Sequence, residues 1–164
     1  MENKNNVINL FMRDNLFLSN FYYCDITYKG ITYKTSEAAF QAQKCPGKEK
    51  DFIDITPSKA KRLGKVVELR KDWESIKDNE MYNILQIKFA PGSKLAQQLI
   101  DTGDAILMEG TYWHDTYWGI DLDTGMGKNK LGKILMQIRE QLVNKTVNNG
   151  NDVMATGLSS DDFH

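Results

Sequence analysis

Glu37, Gln41 and Lys44 fall at i, i+4 and i+7 in the stretch Thr35–Lys44, TSEAAFQAQK, with Phe40 between them. On a helix these positions share one face, so a carboxylate, an amide and an ammonium project the same way as an aromatic ring. At 1.5 Å per residue, Glu37 and Lys44 are about 10 Å apart along the axis. That is too far for a simple pair, but their tips can approach one small ligand from two sides, as a nucleophile and a carboxylate flank a sugar. The other face offers Ala38, Ala39 and Ala42, small enough for close packing. Periodicity alone slightly favours a plainer reading, a solvated charged face with Phe40 incidental.

Further along the chain, Glu109, Asp115 and Asp121 are candidate acids, and Trp113 and Trp118 are candidate stacking surfaces or core plugs. Lys88 sits on the apolar stripe of its helix. Snorkelling, with the stem packed and the ammonium in water, is the first expectation there; a phosphate or a buried carboxylate is the alternative. Arg62 and Arg70 flank a helix end, either as surface charges or as phosphate forks. The glycines of Gly125–Gly132 precede a helix and can expose backbone N–H groups to an anion, yet they form no Walker or dinucleotide fingerprint.

With 164 residues, the chain suits one domain with a real core. A composition 41% hydrophobic and 26% charged excludes wholesale disorder. The net charge of −1 gives no global basic field to hold nucleic acid, although a local basic surface stays open. Cys24 and Cys45 form no CxxC and are expected to be reduced. His114 and His164 are the only histidines, which argues against a His-rich metal site or a Ser-His-Asp triad. The first residues are too polar for a signal peptide, and no apolar run reaches membrane-spanning length. The expected location is the cytoplasm, with no membrane partner.

Several elements must position these groups. Val7–Met12 reads as a short strand. Phe21–Tyr33 reads as a hairpin turning at Lys29-Gly30. Thr35 or Ser36 caps the first helix, which Pro46-Gly47 stops. Thr56-Pro57 opens a second helix running to about Lys65. Asp72 or Asp78 caps a third, with Met81, Ile84, Leu85 and Lys88 on one face. Ser93 opens a fourth, striped by Leu95, Leu99 and Ile100. Ala105–Met108 is a strand candidate, and Leu131, Ile134, Leu135, Ile138 and Leu142 mark the last helix. Gly110–Lys130 shows no regular period and reads as a functional loop. The expected architecture is α+β: a single, mainly helical domain over residues 1–145 with a small antiparallel sheet, followed by a flexible tail over 146–164.

Taken in order, LSNF (18–21), TSEAAFQAQK (35–44), RLGK (62–65), LRKDWES (69–75), KF (88–89), Glu109, DTYWG (115–119) and GKNKLGKILMQIR (127–139) resemble the NADAR family, the YbiA-like N-glycosidases. The resemblance implies hydrolysis of a bond between ribose and nitrogen, with no metal or redox cofactor. Implied substrates are phosphoribosyl intermediates of riboflavin biosynthesis or ADP-ribosyl-guanine, the latter making ADP-ribosylated nucleic acid a partner. It also implies a lysine that forms a Schiff base with the opened ribose. That role falls on Lys44, with Lys65 and Lys88 less favoured, and Glu37 or Asp115 would manage protons. Asn20, Phe21, Gln41, Trp73, Trp118 and Gly119 are expected at the substrate. Arg62, Arg70 and the Gly127–Gly132 backbone, including Asn129 and Gly132, are expected at its phosphate. Under the resemblance, the opening helix becomes a pocket wall. A non-catalytic module binding ADP-ribose or NAD is the alternative; a nucleic-acid binding protein as such conflicts with the near-neutral charge.

Overall fold

The computed structural model describes the backbone of residues 6–157 and the side chains of residues 6–150. The chain begins with β1 (Val7–Ile8), a short 3-10 turn over Arg13–Leu18, and the hairpin β2 (Tyr23–Tyr28) and β3 (Ile31–Thr35). Lys29 and Gly30 both have positive φ, 51° and 82°, as the two-residue turn requires. The hairpin is half-buried. Ile26, Tyr28 and Tyr33 face inward while Asp25, Thr27, Thr32 and Lys34 face water, the period-2 pattern of a one-sided sheet.

β3 runs directly into α1 (Ser36–Ala42), where the Thr35 side chain accepts a hydrogen bond from the Ala38 N–H. The helix is shorter than its sequence suggests. It ends before Lys44, which lies in the following turn. All seven of its residues are buried, so the solvated-face reading is overturned. A helix surrounded on every side is a core helix, and here the three alanines permit close approach.

Next come α2 (Pro57–Gly64), α3 (Trp73–Lys88) and α4 (Lys94–Asp101). Thr56 and Ser93 cap α2 and α4 through their hydroxyls. Asp72 precedes α3 but makes no side-chain cap; its carboxylate instead takes the Arg70 guanidinium at 2.6 Å. Met81, Ile84 and Leu85 are almost fully buried, and Lys88 with them at 4% exposure. Lys88 does not snorkel, and among the described residues it meets no carboxylate: its Nζ donates to the Ser19 carbonyl at 2.7 Å. Burial lowers its pKa to about 8.

Among the described residues, two of the three strand pairs are parallel, which the sequence reading did not anticipate. β1 pairs with β4 (Ile106–Leu107), so the predicted Val7–Met12 strand is only two residues long. β5 (Gly110–Thr111) pairs with β6 (Ile120–Asp121) inside the segment read as an irregular loop. The β2–β3 hairpin is antiparallel. α5 (Lys130–Gly157) packs Leu131, Leu135, Ile138 and Leu142 into the core. A Cβ at Gly132 would lie 2.1 Å from the Leu107 carbonyl oxygen, so glycine is what lets α5 approach β4. The helix continues unbroken past Lys145, although every residue from Val143 to Gly150 is exposed. Residues 158–164 of the expected tail lie outside the described residues. No helix among the described residues is long and apolar enough to cross a membrane.

Candidate active site

Asn20 fixes the entry to α1. Its backbone carbonyl accepts the Glu37 N–H at 3.1 Å, and its side-chain oxygen accepts the Ser36 hydroxyl at 2.8 Å. Glu37 is thereby held in the first turn of α1, and Gln41 Nε2 donates to its carboxylate at 2.9 Å. A Cβ on Gly64 would lie 1.8 Å from Gln41 Oε1, so α2 seats Gln41 only because residue 64 has no side chain. Gln41 Oε1 itself is buried and has no hydrogen-bond partner among the described residues.

Glu109 arrives between β4 and β5. Asn129, itself buried with φ of 49°, accepts the Glu109 N–H at 3.1 Å and donates to the Leu107 carbonyl at 2.9 Å. Gly119 is buried where a Cβ would sit 2.4 Å from the Glu109 carbonyl oxygen, so its absent side chain lets β6 close on this segment. One Asp115 carboxylate oxygen accepts the backbone N–H groups of both Tyr117 and Trp118 at 2.9 Å. This tight turn sets the Trp118 ring edge-on to Phe40, centroids 5.3 Å apart.

These elements enclose a cavity of about 290 Å3. Asn20, Phe21, Glu37, Gln41, Asp115 and Trp118 line it, together with Lys61, Glu109, Tyr112 and Trp113. Three carboxylates therefore face one ammonium, and that ammonium belongs to Lys61. Desolvation raises the Glu37 pKa, against the opposing pull of the Gln41 hydrogen bond and the Lys61 and Lys44 charges. Burial pushes Glu109 up to about 8, with Asp115 and Glu37 adding repulsion. A carboxylic acid that keeps its proton at neutral pH beside ionisable neighbours is poised to donate it. The wall is mostly apolar and aromatic, the usual lining of a small-molecule site.

The other expected residues do not line this cavity. Lys44 Nζ lies 3.4 Å from the Gly64 carbonyl oxygen and 5.8 Å from the Trp73 ring centroid. Burial lowers its pKa; the Glu37 charge opposes this, and the Lys65 and Lys77 charges add to it. Trp73 is buried against Phe40 at 5.1 Å. Arg70 is spent on Asp72, and Arg62 is exposed on α2. Gly119, Asn129 and Gly132 hold the backbone behind the site. Asp121 is also elsewhere, bound to His114 Nδ1 at 3.0 Å. With Asp123 it forms the one grouping of metal-ligand side chains among the described residues, in the loop outside the cavity.

Sequence reasoning assigned no role to Lys61. It is one of several cations in KAKRLGK, and nothing in spacing separates it from its neighbours. Glu109 was visible as a candidate acid, but the Asn129 side chain that holds its backbone lies twenty residues away.

A helical α+β domain whose first helix carries a buried carboxylate into an acid-rich, aromatic-walled cavity has the make-up of a glycosidase. Comparison with known proteins agrees. The NADAR domain matches residues 10–143. The N-glycosidase YbiA of Escherichia coli strain K12 is 43% identical over 130 residues, 76% of this chain and 79% of that protein. The riboflavin biosynthesis protein VVA0006 of Vibrio vulnificus is 40% identical over 131 residues. The match covers 77% of this chain but only 35% of that longer protein. The solution structure of E. coli YbiA superimposes with a TM-score of 0.77 at 37% identity, covering 87% of this chain and 88% of that one. The chain belongs to the NADAR domain family and shares the hydrolase class of its N-glycosidase relatives.

Proposed function

We propose that the cavity hydrolyses the bond between ribose and nitrogen in an ADP-ribosyl or phosphoribosyl N-glycoside. The observation that carries this reading is the meeting of Glu37, Glu109, Asp115 and Lys61 in one cavity. Glu109, protonated at neutral pH, gives its proton to the departing nitrogen. Glu37 faces the anomeric carbon and stabilises its oxocarbenium-like charge. Asp115 holds Trp118, whose ring forms a wall for the base.

The reading of an amine nucleophile shifts from Lys44 to Lys61, the one amine among the lining residues. The Lys61 amine, its extra proton passed to Asp115, attacks C1′ as the C1′–N bond breaks and the leaving nitrogen takes the Glu109 proton. The resulting glycosylamine opens to a Schiff base, which water hydrolyses to free sugar and free amine. Borohydride added during turnover, followed by peptide mass spectrometry, is expected to leave the sugar on Lys61. An adduct on Lys44 would return the role to that residue. Full turnover with no lysine adduct would replace the amine by direct attack of water. A panel of ADP-ribosyl-guanine in DNA, phosphoribosyl riboflavin intermediates and NAD tests the reaction itself. Tight binding of ADP-ribose with no hydrolysis of any of these would instead mark a binding module.

A further inference from the structure

Lys61 is the amine of the cavity, yet among the described residues it makes no ion pair and no hydrogen bond. What stands against it is aromatic: its Nζ lies 4.7 Å from the Trp113 ring centroid and 6.0 Å from that of Phe21. A ring face holds an ammonium group only while the two stay within about 6 Å, so the place of Trp113 matters to Lys61. Trp113 is no core plug. It is 54% exposed, beside Tyr112 at 63%, on the stretch that leaves β5. Both rings line the cavity, and the path of this stretch decides where its outer wall stands.

The stretch is pinned at one point. His114 Nδ1 donates to Asp121 Oδ2 at 3.0 Å, and among the described residues no other hydrogen bond ties Tyr112, Trp113 or His114 to the rest of the protein. The anchor itself is firm. Asp121 stands opposite Thr111 in the β5–β6 pair, is 5% exposed, and its other oxygen accepts the Asp123 N–H at 3.0 Å. His114 has a φ of 61°, a region that side-chain-bearing residues seldom occupy, though His and Asn enter it more than most. Such a conformation persists where the surroundings hold it, and the bond to Asp121 is what holds it here. Beyond the pin the chain is fixed separately: Thr111 Oγ1 accepts the Asp115 N–H at 3.1 Å, and the Asp115 carboxylate accepts the two N–H groups that follow. The imidazole therefore secures the one part of this wall that nothing else secures, and that part carries the ring facing Lys61.

We infer that His114 is a positioning residue: its bond to Asp121 sets the Trp113 ring against Lys61 and so keeps the amine within reach of the substrate. This rests on the role proposed for Lys61 in the N-glycosidase reading. Two variants of the one position test it. His114→Gly leaves the left-handed backbone accessible and removes the pin. His114→Asn also tolerates that backbone, and it carries a donor nitrogen on Cγ, where the imidazole carries Nδ1. The first readout needs no substrate. Three tryptophans give three indole N–H signals in a nitrogen–proton correlation spectrum, and Trp113→Phe assigns the one in question. In His114→Gly the Trp113 signal is expected to move toward that of a free indole while the other two signals and the melting temperature hold; in His114→Asn it stays near the wild-type position. During turnover of an N-glycoside, His114→Gly is expected to lower kcat about tenfold and to change KM less than about threefold, because a displaced reacting group is felt in the chemical step. His114→Asn is expected to bring kcat back to within about threefold of wild type. An unmoved Trp113 signal in His114→Gly overturns the inference, as does an Asn variant no better than the Gly one. A rise in KM alone overturns it too, since the stretch would then be a binding wall only. So does movement of all three indole signals with a lower melting temperature, which would make the contact a support of the fold and not of the amine. A wild type that cleaves no glycoside would fail the reaction, while the indole spectra would still decide whether His114 holds Trp113.

Discussion

Glu109 is where burial becomes chemistry. Asn129 clamps its backbone N–H, and its carboxyl is flanked by two other carboxylates and desolvated enough to keep its proton to about pH 8. If this proton goes to the leaving nitrogen, kcat/KM falls as pH rises through about 8, because the deprotonated form has nothing to give. Glu109→Gln, of nearly the same shape, is expected to lower kcat by about 10² to 10⁴ and to erase that alkaline limb. A variant with wild-type turnover, or a limb that survives in it, would remove Glu109 from the acid role. Glu37 is raised as well, but it has Gln41 and two lysines supporting its charged form. Burial thus pushes both carboxyls toward the protonated form, Glu37 against the opposing pull of Gln41, Lys61 and Lys44.

At the scale of elements, the close seat of α1 on α2 governs the geometry of Glu37. Gly64 leaves room for the Gln41 side chain, and Gln41 in turn holds Glu37. Gly64→Ala places a methyl where Gln41 Oε1 now lies. Gln41 is flexible enough to swing away, so the fold is expected to survive with little loss of melting temperature. The carboxylate then loses its partner, and kcat/KM is expected to drop about tenfold or more, since small misplacements of reacting groups are costly. Calorimetry and turnover on the same sample check this. An equal fall of both would show a packing defect instead. The predicted helix start was legible because Thr35 and Glu37 obey capping chemistry. The helix end was not, since Lys44 was assigned to a face that the helix, ending at Ala42, does not extend to present.

The whole molecule shows its balance of forces at Lys88. Its ammonium is buried with one carbonyl for company. The folded-state pKa, about 8, lies below the ordinary 10.5. Between those values the unfolded chain holds a proton that the folded chain has released, so stability rises with pH across that window, by up to about 3 kcal/mol. Urea melts are expected to show wild type gaining on Lys88→Met between pH 7.5 and 10; a constant difference would mean that the folded lysine titrates normally. At the other end of the chain, α5 contributes Leu142 as its last buried side chain before Gly150. Truncation after Lys145 is therefore expected to leave melting temperature and turnover within error, and a clear loss of either would extend the domain beyond that point.

Local chemistry was readable from the chain alone. The hairpin turn, the hydroxyl caps, the apolar stripe of α5 and the ordered motifs each depend on neighbours a few residues away. So does the α+β class. Folding alone decided which charged residues share a cavity. Glu37, Glu109, Asp115 and Lys61 come from α1, the β4–β5 link, the loop before β6 and α2, and only long-range packing brings them together. Nor could spacing show that Lys61 lines the cavity while Lys44 stands against Trp73, because periodicity gives the face of a helix and says nothing of what that face meets. Desolvation, which sets the protonation of these groups, exists only once the chain has closed around them.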